Sequence, residues 1–171
     1  MAKIISQKFF KRPALEVAEE LLGLKMVREF KDGTKIKSII TEVEAYVGEK
    51  DLACHASRGK TERTKIMYEE GGVFYVYLVY GMHHMLNIVA STKDDPQAVL
   101  IRGVKEINGP GRISKYFDID IKFNGKKACK ETKLWIEEGE KTAFKIEKTK
   151  RIGVDYAGVW ANKPYRFCIK I

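Results

Sequence analysis

The sequence predicts an α+β fold: a single domain over residues 1–171, with a mostly antiparallel curved sheet and a protruding β-hairpin, rimmed by helices. Three stretches predict it. From Val73 to Ser91 two apolar runs rich in β-branched and aromatic residues meet at Gly81-Met82, the pattern of a hairpin buried on at least one face. Leu24–Phe30 and Thr34–Val47 flank Lys31-Asp32-Gly33, a tight-turn tripeptide, and read as a second antiparallel pair. Pro13–Leu22 instead carries apolar residues at Ala14, Val17, Ala18 and Leu21, which is helical spacing.

The helix over Pro13–Leu22 has proline in its first turn, Glu16 early and Gly23 just past its end as a stop. On Thr34–Val47, period two groups Ile36, Ile40, Glu42 and Glu44 on one face and Ile39, Thr41, Val43 and Ala45 on the other. Two carboxylates sharing a face with two isoleucines call for a solvent-facing edge or for a carboxylate aimed into a cleft. Glu49–Gly71 is polar and broken, with short helical pieces around Asp51–Cys54 and Glu62–Met67. It holds His55, and a surface excursion of this length is often functional. Gln97–Val104 reads as a strand with Arg102 near its end. Asn108-Gly109-Pro110-Gly111 is a hard turn before a short helix with Arg112 and Lys115. Asn124-Gly125 is a further turn, and Leu134–Ile136, Phe144–Thr149 and Arg166–Ile171 are short strands. No repeat or linker interrupts them.

A formal net charge of +9 points to a polyanionic partner, although simple solubility also explains a basic chain. The basic residues are dispersed through several loops (Arg58, Lys60, Arg63 and Lys65; Arg112 and Lys115; Lys148, Lys150 and Arg151), which a folded domain could gather onto one face. The longest apolar run is broken by Gly81 and the pair His83-His84, so no membrane association is expected. The N-terminus lacks a signal-peptide pattern, and Cys54, Cys129 and Cys168 are an odd set without CxxC spacing. Free thiols and a cytoplasmic location are expected.

The chain has no phosphate-cradling glycine loop, dinucleotide fingerprint or nucleophile elbow. Adjacent His83 and His84 point to opposite sides of a strand and His55 stands alone, so no metal site and no cofactor are expected. Covalent catalysis by Cys54 beside His55 lacks a third, orienting group. Glu44 and the aromatics remain.

Taken together, Glu42-Val43-Glu44-Ala45-Tyr46-Val47-Gly48, Asp51-Leu52-Ala53-Cys54-His55, Phe74–Met82, Asn87-Ile88, Val99–Arg102, Asn108–Gly111, Arg151–Val154 and Ala157–Phe167 closely resemble the alkyladenine (3-methyladenine) DNA glycosylases, which excise damaged purines. The resemblance covers nearly the whole chain in one order, with short segments unmatched between about Ile113 and Arg151. It implies duplex DNA containing damaged purines as the partner, a monomer, and a monofunctional hydrolysis of base excision repair without strand cleavage. It also implies a role for each matching residue. Glu44 is the catalytic carboxylate, fit to stabilise an oxocarbenium-like sugar and to deprotonate water. Tyr46, His55 and Tyr77 form the stacking pocket for a base turned out of the duplex, although Tyr77 taken alone reads better as a core residue. Tyr80 is the wedge inserted into the vacated stack, Asn87 obstructs the exocyclic amino group of normal guanine, and Arg102 lies near the backbone of the flipped nucleotide. Glu42, by contrast, reads as a structural ion-pair partner, because a second nearby carboxylate would hinder ionisation of the base. The chain departs from animal-type members at His83, where those carry an aromatic.

Two rival functions stand beside this one. A non-catalytic nucleic-acid-binding module would not need Glu44, Tyr46, His55 and Tyr80 together. An enzyme acting on small nucleosides would need neither the protruding Tyr80 nor dispersed basic loops.

Overall fold

The structure, a computed structural model, describes residues 2–139 and 143–171. The strands are β1 (Lys25–Glu29), β2 (Lys35–Tyr46), β3 (Phe74–Val79), β4 (His83–Ala90), β5 (Gln97–Val104), β6 (Ile107–Asn108), β7 (Leu134–Glu137), β8 (Glu147–Thr149) and β9 (Arg166–Cys168). Among the described residues these nine form one sheet, and every pairing is antiparallel. Its main path runs β3-β4-β5-β2-β1-β7, with β6 on β5 and the β8–β9 pair on β2. Helices α1 (Gln7–Phe10), α2 (Ala14–Leu21) and α3 (Pro110–Tyr116) contribute to the main core, so the α+β reading stands.

β2 organises the molecule because it changes partners along its length. Lys35–Ile39 pair with β1, while Ile40–Tyr46 pair with β5, and Glu42–Glu44 also pair with β9 on the other edge. The register with β5 slips between Ile40 and Glu42 and slips back by Val43. This irregularity corrects the strict alternation expected for the strand. Ile40 joins Val43 and Ala45 in the main core, and Glu42 and Glu44 share their side with no isoleucine of that core. A β-bulge shifts the phase of side chains by one residue, which period-two reading cannot register.

The main core gathers Phe10 and Leu21 from the helices with Met26, Ile40, Val43, Phe74, Leu86 and Ile101 from the sheet. Each such buried side chain contributes about 1.5–3 kcal/mol. The hairpin alternates as its pattern requires. Phe74, Val76, Leu86 and Ile88 enter this core, whereas Val73, Tyr75 and Val89 pack with Cys54, Ala56, Met67 and Tyr68 in a second cluster. The polar excursion is thus the cover of the sheet's second face. Its helical turns lie at His55–Arg58 and Lys65–Tyr68, later than the predicted Asp51–Cys54 and Glu62–Met67. The Asp51 carboxylate instead accepts from the amides of Val47 and Ala53, and Thr61 and Thr64 exchange side-chain–amide bonds. Such local bonds favour turns over helix.

Other boundaries move for equally local reasons. The hairpin connection is Tyr80-Gly81-Met82, with Val79 opposite His83 and φ positive at both Tyr80 (52°) and Gly81 (65°), so the turn is centred one residue earlier than Gly81-Met82. The Phe144–Thr149 strand shortens to Glu147–Thr149; the Phe144 ring packs against the main core beside Gly23, where a Cβ would meet it at 2.6 Å. The last strand ends at Cys168 rather than Ile171. Asp155–Asn162, unassigned from sequence, forms two short helical turns across a kink at Gly158.

Candidate active site

Glu44 lies on the second face of β2 with no exposed surface. Both of its oxygens are occupied. Oε1 accepts from the Ile152 amide at 2.7 Å, and Oε2 accepts from the Tyr46 hydroxyl at 2.7 Å. Arg102 Nε stands 3.5 Å from Oε1. Burial pushes the carboxyl above the usual carboxylate range, against the pull of Arg102, the Ile152 amide, the Tyr46 hydroxyl and Arg151.

Beside it opens a cleft of about 500 Å³, and Tyr46, His55, Tyr77, Tyr80, Asn87 and Arg102 all line it. The structure therefore brings together around Glu44 every other residue singled out from the sequence. Glu44 itself sits behind the lining, covered by Tyr46, Arg102 and Ile152.

His55 and Tyr77 form one continuous wall. Their ring centroids are 4.6 Å apart at a 60° tilt, too close for a base to pass between them. A planar guest against this wall leaves Tyr46 as the aromatic for its other side. The Arg151 guanidinium covers one face of Tyr46 at 4.8 Å from the ring centroid, so at most the opposite face is free. His55 Nδ1 is 2.9 Å from the Tyr75 hydroxyl. Burial, reinforced by Arg63 and Arg58, lowers the His55 pKa to about 4, so the ring is neutral at pH 7. Asn87 is buried, and its Nδ2 donates to the Tyr75 carbonyl at 3.1 Å. Cys54 is no nucleophile here. It is buried, and burial pushes its thiol up to about 11.

Two arginines have unexpected places. Arg102 does not reach outward from a strand end: its Nε donates to Glu42 Oε1 at 3.0 Å. Arg166 Nε donates to the same oxygen at 2.7 Å, so Glu42 is the ion-pair partner anticipated for it. Arg151 was grouped with the dispersed surface cations, but it is fully buried in a two-pronged pair with Asp51 (2.5 and 2.8 Å) and also donates to the carbonyls of Ala45 and Trp160. Its next residue supplies the amide on Glu44, which makes the pair part of the frame around the carboxylate.

The sequence reading missed this frame. Nothing local marks Arg151 as buried, because its partner Asp51 lies 100 residues away. Tyr75 could have been found: it alternates with Tyr77 and so shares that residue's face.

At the far end of the cleft the hairpin tip projects. Tyr80 is 91% exposed and Met82 69%, an unusual state for two large apolar side chains. His83 leans on the start of α3, where a Cβ at Gly111 would sit 3.0 Å from its ring. A side chain at Gly111 would oblige the His83 ring to move by a few tenths of an ångström. Among the described residues no group of three or more His, Cys, Asp or Glu side chains could hold a metal ion, and no helix is long and apolar enough to cross a membrane.

Comparison with known proteins places the chain in context. The family profile described as Methylpurine-DNA glycosylase matches residues 8–108 and 105–171. A protein of Clostridium novyi is 41% identical over 196 residues, covering 98% of this chain and 96% of its own. Similar proteins of Borreliella burgdorferi (42% over 175 residues, 95% and 94%) and Myxococcus xanthus (40% over 176 residues, 97% and 90%) follow the same pattern. All three bear the name "Putative 3-methyladenine DNA glycosylase".

Proposed function

The chain belongs to the methylpurine-DNA glycosylase family, and from that premise we propose that it is a monofunctional DNA glycosylase of base excision repair, acting as a monomer through one domain over residues 1–171. It turns an alkylated or otherwise damaged purine out of duplex DNA and hydrolyses the N-glycosidic bond with a water activated by Glu44. The observation that carries this reading is the buried Glu44 carboxylate behind a cleft walled by aromatic side chains.

The chemistry follows from that placement. Water oxygen attacks C1′ of the deoxyribose as the bond from C1′ to the base breaks, with its electron pair leaving on the base. The water proton passes to Glu44, and an abasic sugar and a free base remain. A carboxylate held in a low-dielectric site stabilises the oxocarbenium-like sugar more than it could in water. Burial also raises its pKa, which makes the ionised form a stronger base. Arg102 opposes that rise.

The cleft holds the base by its faces. The wall of His55 and Tyr77 takes one face and Tyr46 the other; comparable stacking is worth roughly 1–3 kcal/mol per base. Cationic 3-methyladenine and 7-methylguanine gain additional attraction from aromatic faces and leave without help. Neutral hypoxanthine or ethenoadenine requires protonation or a closer fit, and no residue stands out as a general acid. Asn87, immobilised by its bond to the Tyr75 carbonyl, stands where a rigid side chain can reject the exocyclic amino group of guanine. Tyr80 fills the gap left in the stack.

Release of free base from methylated duplex DNA, with wild type and Glu44→Gln side by side, tests the proposal. Wild type is expected to release methylated purines without nicking the strand, and Glu44→Gln to release none while still binding abasic DNA. Base release by Glu44→Gln at the wild-type rate would overturn it.

A further inference from the structure

One charged residue beside the site has no part in the chemistry above. Glu42 lies two residues before Glu44 on β2, and its Oε1 accepts from Arg102 Nε at 3.0 Å and from Arg166 Nε at 2.7 Å. The same Arg102 Nε is 3.5 Å from Glu44 Oε1. One N–H points along one line, so at these distances Glu42 takes the hydrogen bond and Glu44 feels chiefly the charge. Four charges of alternating sign therefore stand in a row: Arg166, Glu42, Arg102, Glu44. Among the described residues the Arg102 side chain makes no other hydrogen bond to the protein, so Glu42 is its tether.

Resting on the reading of Glu44 as the base, we infer that Glu42 is a positioning residue: it holds Arg102 off Glu44 and thereby sets the pH at which Glu44 becomes able to take a proton. Were Glu42 neutral, two guanidinium groups would face one carboxylate. Arg102 would be free to close the last half ångström onto Glu44 Oε1, and the ionised form would become more stable and a weaker base. A carboxylate locked in a direct ion pair also has fewer lone pairs to offer a water.

The groups facing Glu44 are few enough to make this attribution. Its own strand supplies Glu42 and Tyr46, β5 supplies Arg102, β9 supplies Arg166, β3 supplies Tyr77, and the segment before the last helical turns supplies Arg151. The charge of Arg151 is met by Asp51, and α2 packs in the main core with Val43 and Ala45, on the other side of the strand. β1 pairs only with the first part of β2. Among the described residues Glu42 is left as the one carboxylate that competes with Glu44 for Arg102.

The test is a titration of the Glu44 carboxyl by 13C NMR in DNA-free protein, assigned by comparison with Glu44→Gln. Glu42→Gln is expected to move the midpoint down by about one pH unit. Arg166→Gln, which removes a cation from the other end of the row, is expected to move it up. Glu42→Asp keeps the charge and is expected to stay near wild type. A midpoint that stays put or rises in Glu42→Gln overturns the inference. If that variant does not fold, Arg166→Gln decides, since its side chain is partly exposed and its predicted shift has the opposite sign. In parallel, the acid limb of the pH–rate profile is read on duplex DNA carrying 7-methylguanine, whose cationic base needs no general acid. That limb is expected to follow the titrations. Titrations that move while the limb does not would count against Glu44 as the base and leave the role of Glu42 in its protonation standing.

Discussion

Glu44 carries its charge where burial resists one, and that resistance has a thermodynamic sign. Its folded-state pKa lies above the unfolded value, so folding favours the protonated form. The resulting stability is fully present below the unfolded pKa and is lost as pH rises through the folded one. Glu44→Gln, expected to be inactive as an enzyme, is therefore also expected to melt higher than wild type at neutral pH, with the difference closing toward about pH 4. Calorimetry of both proteins across that range checks it; an equal or lower melting temperature at neutral pH would mean that the bonds from Tyr46 and Ile152 outweigh desolvation. At this scale the sequence was informative where residue type and position coincide. A Tyr two residues after a Glu on a strand, a His in the excursion and tyrosines at period two all line one cleft, with that Glu directly behind it. It was silent on Arg151, because arginine reads as surface until its distant partner is known.

At the scale of elements, the hairpin and the buried ion pair make separate predictions. Tyr80 holds a left-handed φ of 52°, a conformation that costs an ordinary residue about 1–2 kcal/mol relative to glycine. Tyr80→Gly is expected to stabilise the fold by up to that amount while weakening binding to a lesion duplex. Tyr80→Ala should lose the affinity without the gain. Chemical denaturation and duplex binding on the two variants separate strain from contact, and unchanged affinity in both would remove the wedge. The Asp51–Arg151 pair is fully buried, so Asp51→Asn strands a guanidinium and is expected to destabilise by about 3–5 kcal/mol, measured by urea unfolding. The strands themselves were legible from alternation and turn residues. The bulge in β2 was not, since it depends on how Gly103 and Ile101 of the neighbouring strand register against Glu42 and Val43. That single slip separates the carboxylates from Ile40.

For the molecule as a whole, the count of 32 lysines and arginines overstates the free cations a polyanion meets. Arg151, Arg102 and Arg166 are spent on Asp51 and Glu42, and Lys60 and Lys65 lie against Asp94 and Glu62. Arg58 and Arg63 have no carboxylate partner among the described residues, and the Arg63 guanidinium lies 5.2 Å from the centroid of the Tyr77 ring. Binding to duplex DNA is expected to weaken with salt with a slope of about 0.9 per phosphate contact on logarithmic axes, and a flat dependence would remove DNA as the ligand. Overall architecture was readable in advance because one core, one sheet and antiparallel hairpins leave few alternatives, whereas the distribution of charge between surface and interior needed the packed structure.

The complete enclosure of Glu44 has one more consequence. With no surface open to solvent, the Glu44 carboxylate of the resting protein cannot be reached by bulk water. Loose nucleosides and nucleotides drifting through the cleft would meet a catalyst with its safety on. Hydrolysis would be conditional on a guest that opens the cover of Tyr46, Arg102 and Ile152, and a purine still tethered to a strand gripped on both sides of it can exert that leverage where a free one cannot.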